Sequence, residues 1–223
     1  MEFNVRDYYE KNLKGKDKKQ ILLVIRALKY TISQIKNMME HPGYSSYSDL
    51  YYIDKERIQI ARSCLEKAKE ELIAVGGTYT LSPTELKDQD FQENVEFINR
   101  ISLQYKISWL NSEETYIAVL KDDKFHIKSR RPINIPNWDG TEKEDYIVGK
   151  QFFLESMRDL HIGEWKTKYM FKNFNDVDVS AEPWELNIEF SNGHNSVRIQ
   201  GVGAEPYNIH QLKSLMDEYD FGD

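Results

Sequence analysis

The sequence predicts an α+β protein. An N-terminal helical hairpin and a third helix should precede an antiparallel sheet of about five strands, ordered β-β-β-α-β-β-α, with helices on one face. Three observations carry this. Two long stretches in the first hundred residues place apolar side chains at helical spacing. From Leu103 onward the period falls to two. Asn192-Gly193 then separates two further alternating runs, and that pair is a strong hairpin signal because both residues tolerate positive φ. The expected division is a helical region 1–101 and a sheet domain 102–223.

The first helix should run from about Lys18 to Met39, with Ile21, Val24, Ile25, Leu28, Ile32, Ile35 and Met39 on one stripe. Pro42-Gly43 ends it. The second spans about Asp54 to Val75, through Ile58, Ala61, Leu65, Ala68, Leu72 and Val75. Asp54 is the expected N-cap and Gly76-Gly77 the stop. Two such amphipathic helices joined by a short link should form an antiparallel pair. The third helix opens on Ser82-Pro83-Thr84-Glu85, a capping box with proline at the first helical position, and continues through Phe91, Val95 and Ile98.

Alternation then takes over at Leu103, Tyr105, Ile107 and Trp109, with further strands at Tyr116–Leu120 and Phe125–Lys128. Residues 129–141 hold two prolines and an Asp-Gly, the marks of a loop. Thr141 and Glu144 suggest a capped helix through Tyr146, Ile147, Phe153, Met157 and Leu160. Residues 166–183 show no clear period. Trp184, Leu186, Ile188 and Phe190 alternate, and Val197, Ile199 and Gly201 return. Asn208 should cap a last helix carrying Ile209, Leu212, Leu215 and Met216.

Composition narrows the function. The chain has 223 residues, 40% hydrophobic and 13% aromatic, enough to bury a core. Its net charge of −7 falls wholly in the second part, because residues 1–100 hold 16 basic and 16 acidic side chains and residues 101–223 hold 14 and 21. That disfavours a general nucleic-acid coat protein and a surface held to anionic lipid. The longest strongly apolar run, Ile21 to Ile25, is far below the roughly 20 residues of a membrane span. No apolar signal core opens the sequence, so a cytoplasmic location without a membrane partner is expected. A lone cysteine, Cys64, excludes an internal disulfide framework and a multi-cysteine zinc site. The richness in Ile, Lys, Asn and Tyr suggests an AT-rich bacterial or phage genome.

Motifs of catalysis are scarce. There is no phosphate-binding GxxxxGK[ST] loop, no HExxH and no GxSxG, and Gly201-Val202-Gly203-Ala204 lacks the third glycine of a dinucleotide site. His161 with Asp159 and Glu164 is a conceivable metal set, against the plainer reading of a histidine at a helix end. Glu164-Trp165-Lys166 matches the ExK element of magnesium-dependent nucleases, with Asp139 or Asp159 as upstream acid. However, 21 Glu and 21 Lys in 223 positions generate about two such triplets by chance, and two occur. Cys64 has no neighbouring base and reads as a packed side chain. No catalytic residue, cofactor or metal set is therefore adopted from the sequence.

Surface composition is more informative. Residues 43–52, GYSSYSDLYY, hold four tyrosines and three serines, the composition of a recognition loop. Tyr44, Tyr47, Tyr51 and Tyr52 are candidate partner contacts, unless they simply close the end of the hairpin. Arg130 and Arg131, with Lys128 and Trp138 nearby, form a second candidate surface, and the run Lys11 to Lys19 a third, either able to touch a nucleic-acid backbone. The pattern of Gly163-Glu164-Trp165, then Pro183 to Phe190, Ser191-Asn192-Gly193 and Ala204 to Asn208 resembles small α+β domains of Gram-positive bacteria and their phages, and implies no activity. The expectation is a non-enzymatic protein that binds another protein or a ribonucleoprotein, of an inhibitor, immunity or anti-defence type. The alternative is a metal-dependent nuclease or a nucleic-acid-binding accessory protein.

Overall fold

The computed structural model describes residues 4–44, 49–107, 112–130, 146–170 and 182–217. The chain divides into two compact units, Met1–Leu81 and Ser82–Asp223.

The first unit is helical. A short helix not foreseen from the sequence, α1 (Val5–Asn12), starts where the Asn4 side chain accepts the Arg6 N–H. α2 (Lys18–Met39) begins with a capping box in which Asp17 and Gln20 each accept the other's backbone N–H. It buries Ile21, Ile25, Ile32, Ile35 and Met39. α3 (Asp49–Ala74) buries Ile58, Ala61, Leu65, Ala68 and Leu72. The Lys18 side chain reaches the Gly76 backbone, so the start of α2 lies beside the end of α3 and the pair is antiparallel. Gly76, at φ +74°, turns the chain out of α3, donating to the Ile73 carbonyl while Gly77 donates to that of Leu72. This double bond satisfies carbonyls the helix would leave bare. Cys64 is 2% exposed within this seam, and burial raises its thiol above the ordinary range.

One expectation here needs correction. Asp54 is not an N-cap: α3 starts at Asp49, and Asp54 is a buried residue in its second turn. The carboxylate tolerates burial because the Tyr44 hydroxyl donates to it at 2.9 Å and the Arg57 guanidinium at 2.7 Å.

The second unit begins with α4 (Pro83–Asn94), capped by Ser82 and Glu85 as its sequence suggests. Grouped with the first two helices by its period, α4 instead belongs to the sheet, because its Phe91 and the following Val95 enter the sheet's core. A seven-stranded sheet follows: β1 (Ile98–Ile107), β2 (Ser112–Lys121), β3 (Lys124–Arg130), β4 (Tyr146–Gly149), β5 (Lys168–Met170), β6 (Pro183–Phe190) and β7 (Val197–Val202), in the spatial order β4-β3-β2-β1-β6-β7-β5. All neighbours are antiparallel except β5 and β7, which are parallel. Two helices complete the unit, α5 (Lys150–Asp159) and α6 (Ile209–Leu215).

Register decides which side chains share a face. Leu103 lies between Tyr116 and Leu186, and Ile101 between Ala118 and Ile188. These side chains, with Phe125, Ile127 and Ile199, pack against Phe153, Leu154 and Met157 of α5 and Ile209 and Leu212 of α6. Phe125 and Phe153 stack with ring centroids 4.1 Å apart. On β6, the Trp184 indole N–H donates to the Ala204 carbonyl at 2.8 Å over Gly201, where an added Cβ would sit 2.4 Å from that nitrogen.

Three differences from the sequence reading have local causes. Tyr146 to Gly149 form strand β4 rather than the start of a helix. Val148 is buried and Ile147 half exposed, an alternation of period two, and Gly149 with extended backbone then serves as N-cap of α5. β5 has three residues, too few to show a period. Asn208 does not cap α6 with its side chain; its amide instead donates to the Leu160 carbonyl at the end of α5.

Candidate functional site

The sequence offered three surfaces, and the geometry treats them unequally. At the tip between α2 and α3, Tyr44 is bonded to Asp54. Burial, and then its bond to that carboxylate, push its phenol up to about 12. Tyr51 is 6% exposed, packed edge to face on Tyr52. Tyr52 points outward at 68% exposure, flanked by Leu50 and Ile53 at 61% and 50%. Tyr47 lies outside the described residues. Of the described tyrosines at this tip, Tyr52 presents the most surface, and the exposed Leu50 and Ile53 carried no signal in the sequence reading.

The Lys11 to Lys19 run does not gather into one patch. Lys11 sits in the last turn of α1, Lys14 pairs with Glu10 at 2.6 Å, Asp17 caps α2 and the Lys18 side chain lies along Gly76.

Arg130 gains company. Along β3, Phe125 and Ile127 enter the core, so Lys124, His126, Lys128 and Arg130 share the opposite face. In register beside them lie Lys121, Val119, Ile117 and Thr115 of β2, and then Arg100, Ser102, Gln104 and Lys106 of β1. Among the described residues of strands β1 to β3, this part of the outer face holds Arg100, Lys106, Lys121, Lys124, Lys128 and Arg130 against one acid, Glu113, in a chain whose net charge is −7. The Asp122-Asp123 turn closes one end, with Asp123 3.6 Å from the Lys150 ammonium. Across β1 the sign reverses: Glu189 and Glu185 of β6 face Arg100 and Arg198, at 3.9 and 3.2 Å. Arg131 and Trp138 lie outside the described residues.

A fourth constellation comes from distant parts of the sequence. Asp88 of α4, His161 and Glu164 bring one ligand atom each to within 4.8 Å of one another, and they are the one such group among the described residues. His161 holds a left-handed backbone (φ 48°, ψ 47°) at the end of α5, and Glu164 ends the 3-10 turn Ile162–Glu164. The turn presses on α4 so closely that a Cβ on Gly163 would lie 2.3 Å from the Asp88 Cα, which is why glycine stands there. Asp88 Oδ2 is 2.8 Å from His161 Nδ1. The adjacent Lys87 donates to the Trp165 carbonyl at 2.7 Å; burial lowers its ammonium below the usual range, and the nearby Asp88 carboxylate opposes that.

Asp159 is exposed and outside this group, and the Lys166 ammonium lies over the Tyr169 ring. Asp139, the other upstream acid the sequence offered, lies outside the described residues. Sequence reasoning found His161 and Glu164 but missed Asp88. A signal existed: Asp88 continues the Phe91 and Val95 stripe backward by three, an acid on an apolar face.

At another edge of the core, the Lys213 ammonium of α6 sits 4.2 Å from the Tyr105 ring centre and 3.5 Å from Glu114, which accepts the Tyr116 hydroxyl at 2.5 Å. Burial, and then Glu205 and Glu114, push the Tyr105 phenol well above its ordinary value. This cluster gives the end of the apolar layer a charge-balanced seal. Comparison with family models, curated proteins and solved structures gave no significant match.

Proposed function

We propose that this chain is a macromolecule-binding protein whose working surface is the basic half of the outer sheet face, and that its partner is a nucleic-acid backbone. The observation that supports this is the row Lys124, His126, Lys128 and Arg130 on one strand. Successive outward residues of a strand stand roughly 6.5–7 Å apart, so Lys124, Lys128 and Arg130 form a linear row of cations with His126 between them. A linear polyanion suits such an array better than a point ligand does. The net negative charge of residues 101–223 favours selectivity, since it repels the polyanion from other parts of the sheet unit. The strip of Thr115, Ile117 and Val119 between the basic strands offers few donors or acceptors to base edges, so contact would run through the phosphates and tolerate any base sequence.

The test is fluorescence anisotropy with a labelled single-stranded oligonucleotide and a duplex of the same length, at 50 and 200 mM salt. Affinity should fall steeply with salt. The combined Lys124→Ser, Lys128→Ser, Arg130→Ser variant should bind at least tenfold more weakly and lose about 2–3 from the log–log salt slope, one lost contact per cation. No binding at low salt, or equal binding by the variant, would remove the reading.

A second reading rests on a different observation, the outward Leu50, Tyr52 and Ile53 at the start of α3. Exposed apolar side chains beside a tyrosine suit contact with another protein, and an inhibitor or immunity-type role would act through them. Replacing Leu50 and Tyr52 with serine would abolish capture of such a partner while leaving oligonucleotide binding intact.

A further inference from the structure

We propose that Asp88, His161 and Glu164 form a binding site for a divalent cation of the zinc type, which ties α4 to the turn after α5. The donor set, one imidazole nitrogen and two carboxylate oxygens, is one that zinc accepts, with water completing the shell. A cluster of ligand types is not in itself a site; the buried end of Asp88 supplies the independent observation. Asp88 is 8% exposed, and its Oδ1 is buried with no hydrogen-bond partner, while Oδ2 faces His161. An ionised carboxylate offers about four acceptor positions, and leaving one oxygen bare in the interior is costly.

That oxygen is aimed at the turn carrying the other two donors. A Cβ built on Gly163, the residue between Ile162 and Glu164, would meet Oδ1 at 2.8 Å. The His161 side chain is one-third exposed and Glu164 is half-buried, so solvent reaches two of the three donors and a hydrated ion can approach them. Ligands of a tetrahedral zinc stand about 3.4 Å apart, given bonds near 2.0–2.1 Å. On binding, Asp88 Oδ2 and His161 Nδ1, 2.8 Å apart as a hydrogen-bonded pair, would part to that spacing, and the partly exposed Glu164 would turn in from within 4.8 Å. Tying two segments 73 residues apart in sequence is the structural role that such a site serves well.

The probe is Zn²⁺ itself, added to chelator-stripped full-length protein and followed by calorimetry and thermal melting. One equivalent should bind saturably and raise the Tm. Glu164→Gln and His161→Gln should each weaken binding at least tenfold and lose the zinc-dependent rise in Tm, while keeping the Tm of the zinc-free protein within a few degrees. Glu164 is not deeply buried, so its variant reads out binding even if Asp88→Asn fails to fold. Absence of saturable uptake, unchanged affinity in either Gln variant, or uptake without any change in Tm would overturn the proposal. Oligonucleotide affinity should not respond to zinc, which keeps this result separate from the function proposed above.

Discussion

The helical unit and the sheet unit cover their apolar residues to different extents. In the helical unit, residues 1–81, Leu23, Tyr30, Met38, Leu50, Tyr52, Ile53 and Ile73 are large apolar side chains left exposed among the described residues. The sheet unit, residues 82–223, is longer, and among its described residues five are left exposed: Leu86, Phe97, Ile147, Phe152 and Met170. The cause is geometric. A pair of helices shares one seam, so each helix hides one stripe and any apolar residue off that stripe meets solvent. A sheet hides a whole face under helices, and its alternation sends polar residues to the other side. Exposed apolar surface in the first unit is thus a by-product of few layers, whereas exposed charge in the second is arranged by strand register.

If that contrast is right, the largest losses come from the layered core. Phe153→Ala removes the ring stacked on Phe125 and should cost about 3–5 kcal/mol, read by chemical denaturation. Its effect on hydrogen exchange should appear first in β1 and β6. Leu72→Ala, a fully buried residue of the helical seam, should cost about 2–4 kcal/mol. A Leu72 variant that loses more than the Phe153 variant would break the comparison. Next comes Gly201→Ala: its Cβ collides with the Trp184 indole, and overpacking of this kind costs about 1–3 kcal/mol. The bond from Trp184 to the Ala204 carbonyl should weaken with it, shown by the indole N–H resonance. Ser82→Ala removes one side of the α4 capping box and should cost about 1 kcal/mol.

The smallest effect is at the tip. The Tyr44 phenol is raised to about 12 from its usual value near 10, so its folded pKa exceeds the unfolded one. The stability linked to its proton is complete below pH 10 and is lost as pH climbs through 12. The difference in Tm between Tyr44→Phe and the parent should therefore be constant up to about pH 10 and shrink above it, with the phenolate absorbance step near pH 12 missing from the variant.

What could be read from the sequence tracks the same contrast. α2 was legible almost to the residue, because the apolar stripe and the Pro42-Gly43 stop are local signals. The α4 cap at Ser82 was equally plain. Asp54 misled because an acid near an apolar run looks the same whether it caps a helix or is buried by partners such as Tyr44 and Arg57. α4 was placed with the wrong neighbours since periodicity reports that a face is buried but not against what. Strands β1 to β3, β6 and β7 announced themselves by alternation; β4 and β5 were too short to do so. The Asp88 cluster joins residues 73 apart in sequence, and the basic row on β3 emerged only when strand pairing set Lys121, Lys106 and Arg100 beside it. Arg130 was singled out with Arg131, Lys128 and Trp138; strand alternation adds His126 and Lys124 to its face.

Cys64 has a practical consequence. The sequence holds no other sulfhydryl, and this one is sealed between helices and held protonated by its surroundings. A maleimide or disulfide reagent should find nothing to modify while the native state persists. Modification should then proceed at the rate at which the helix pair transiently parts, so a simple labelling time course becomes a clock for opening of that unit alone. The same silence leaves the background clean for a dye placed at any engineered surface cysteine.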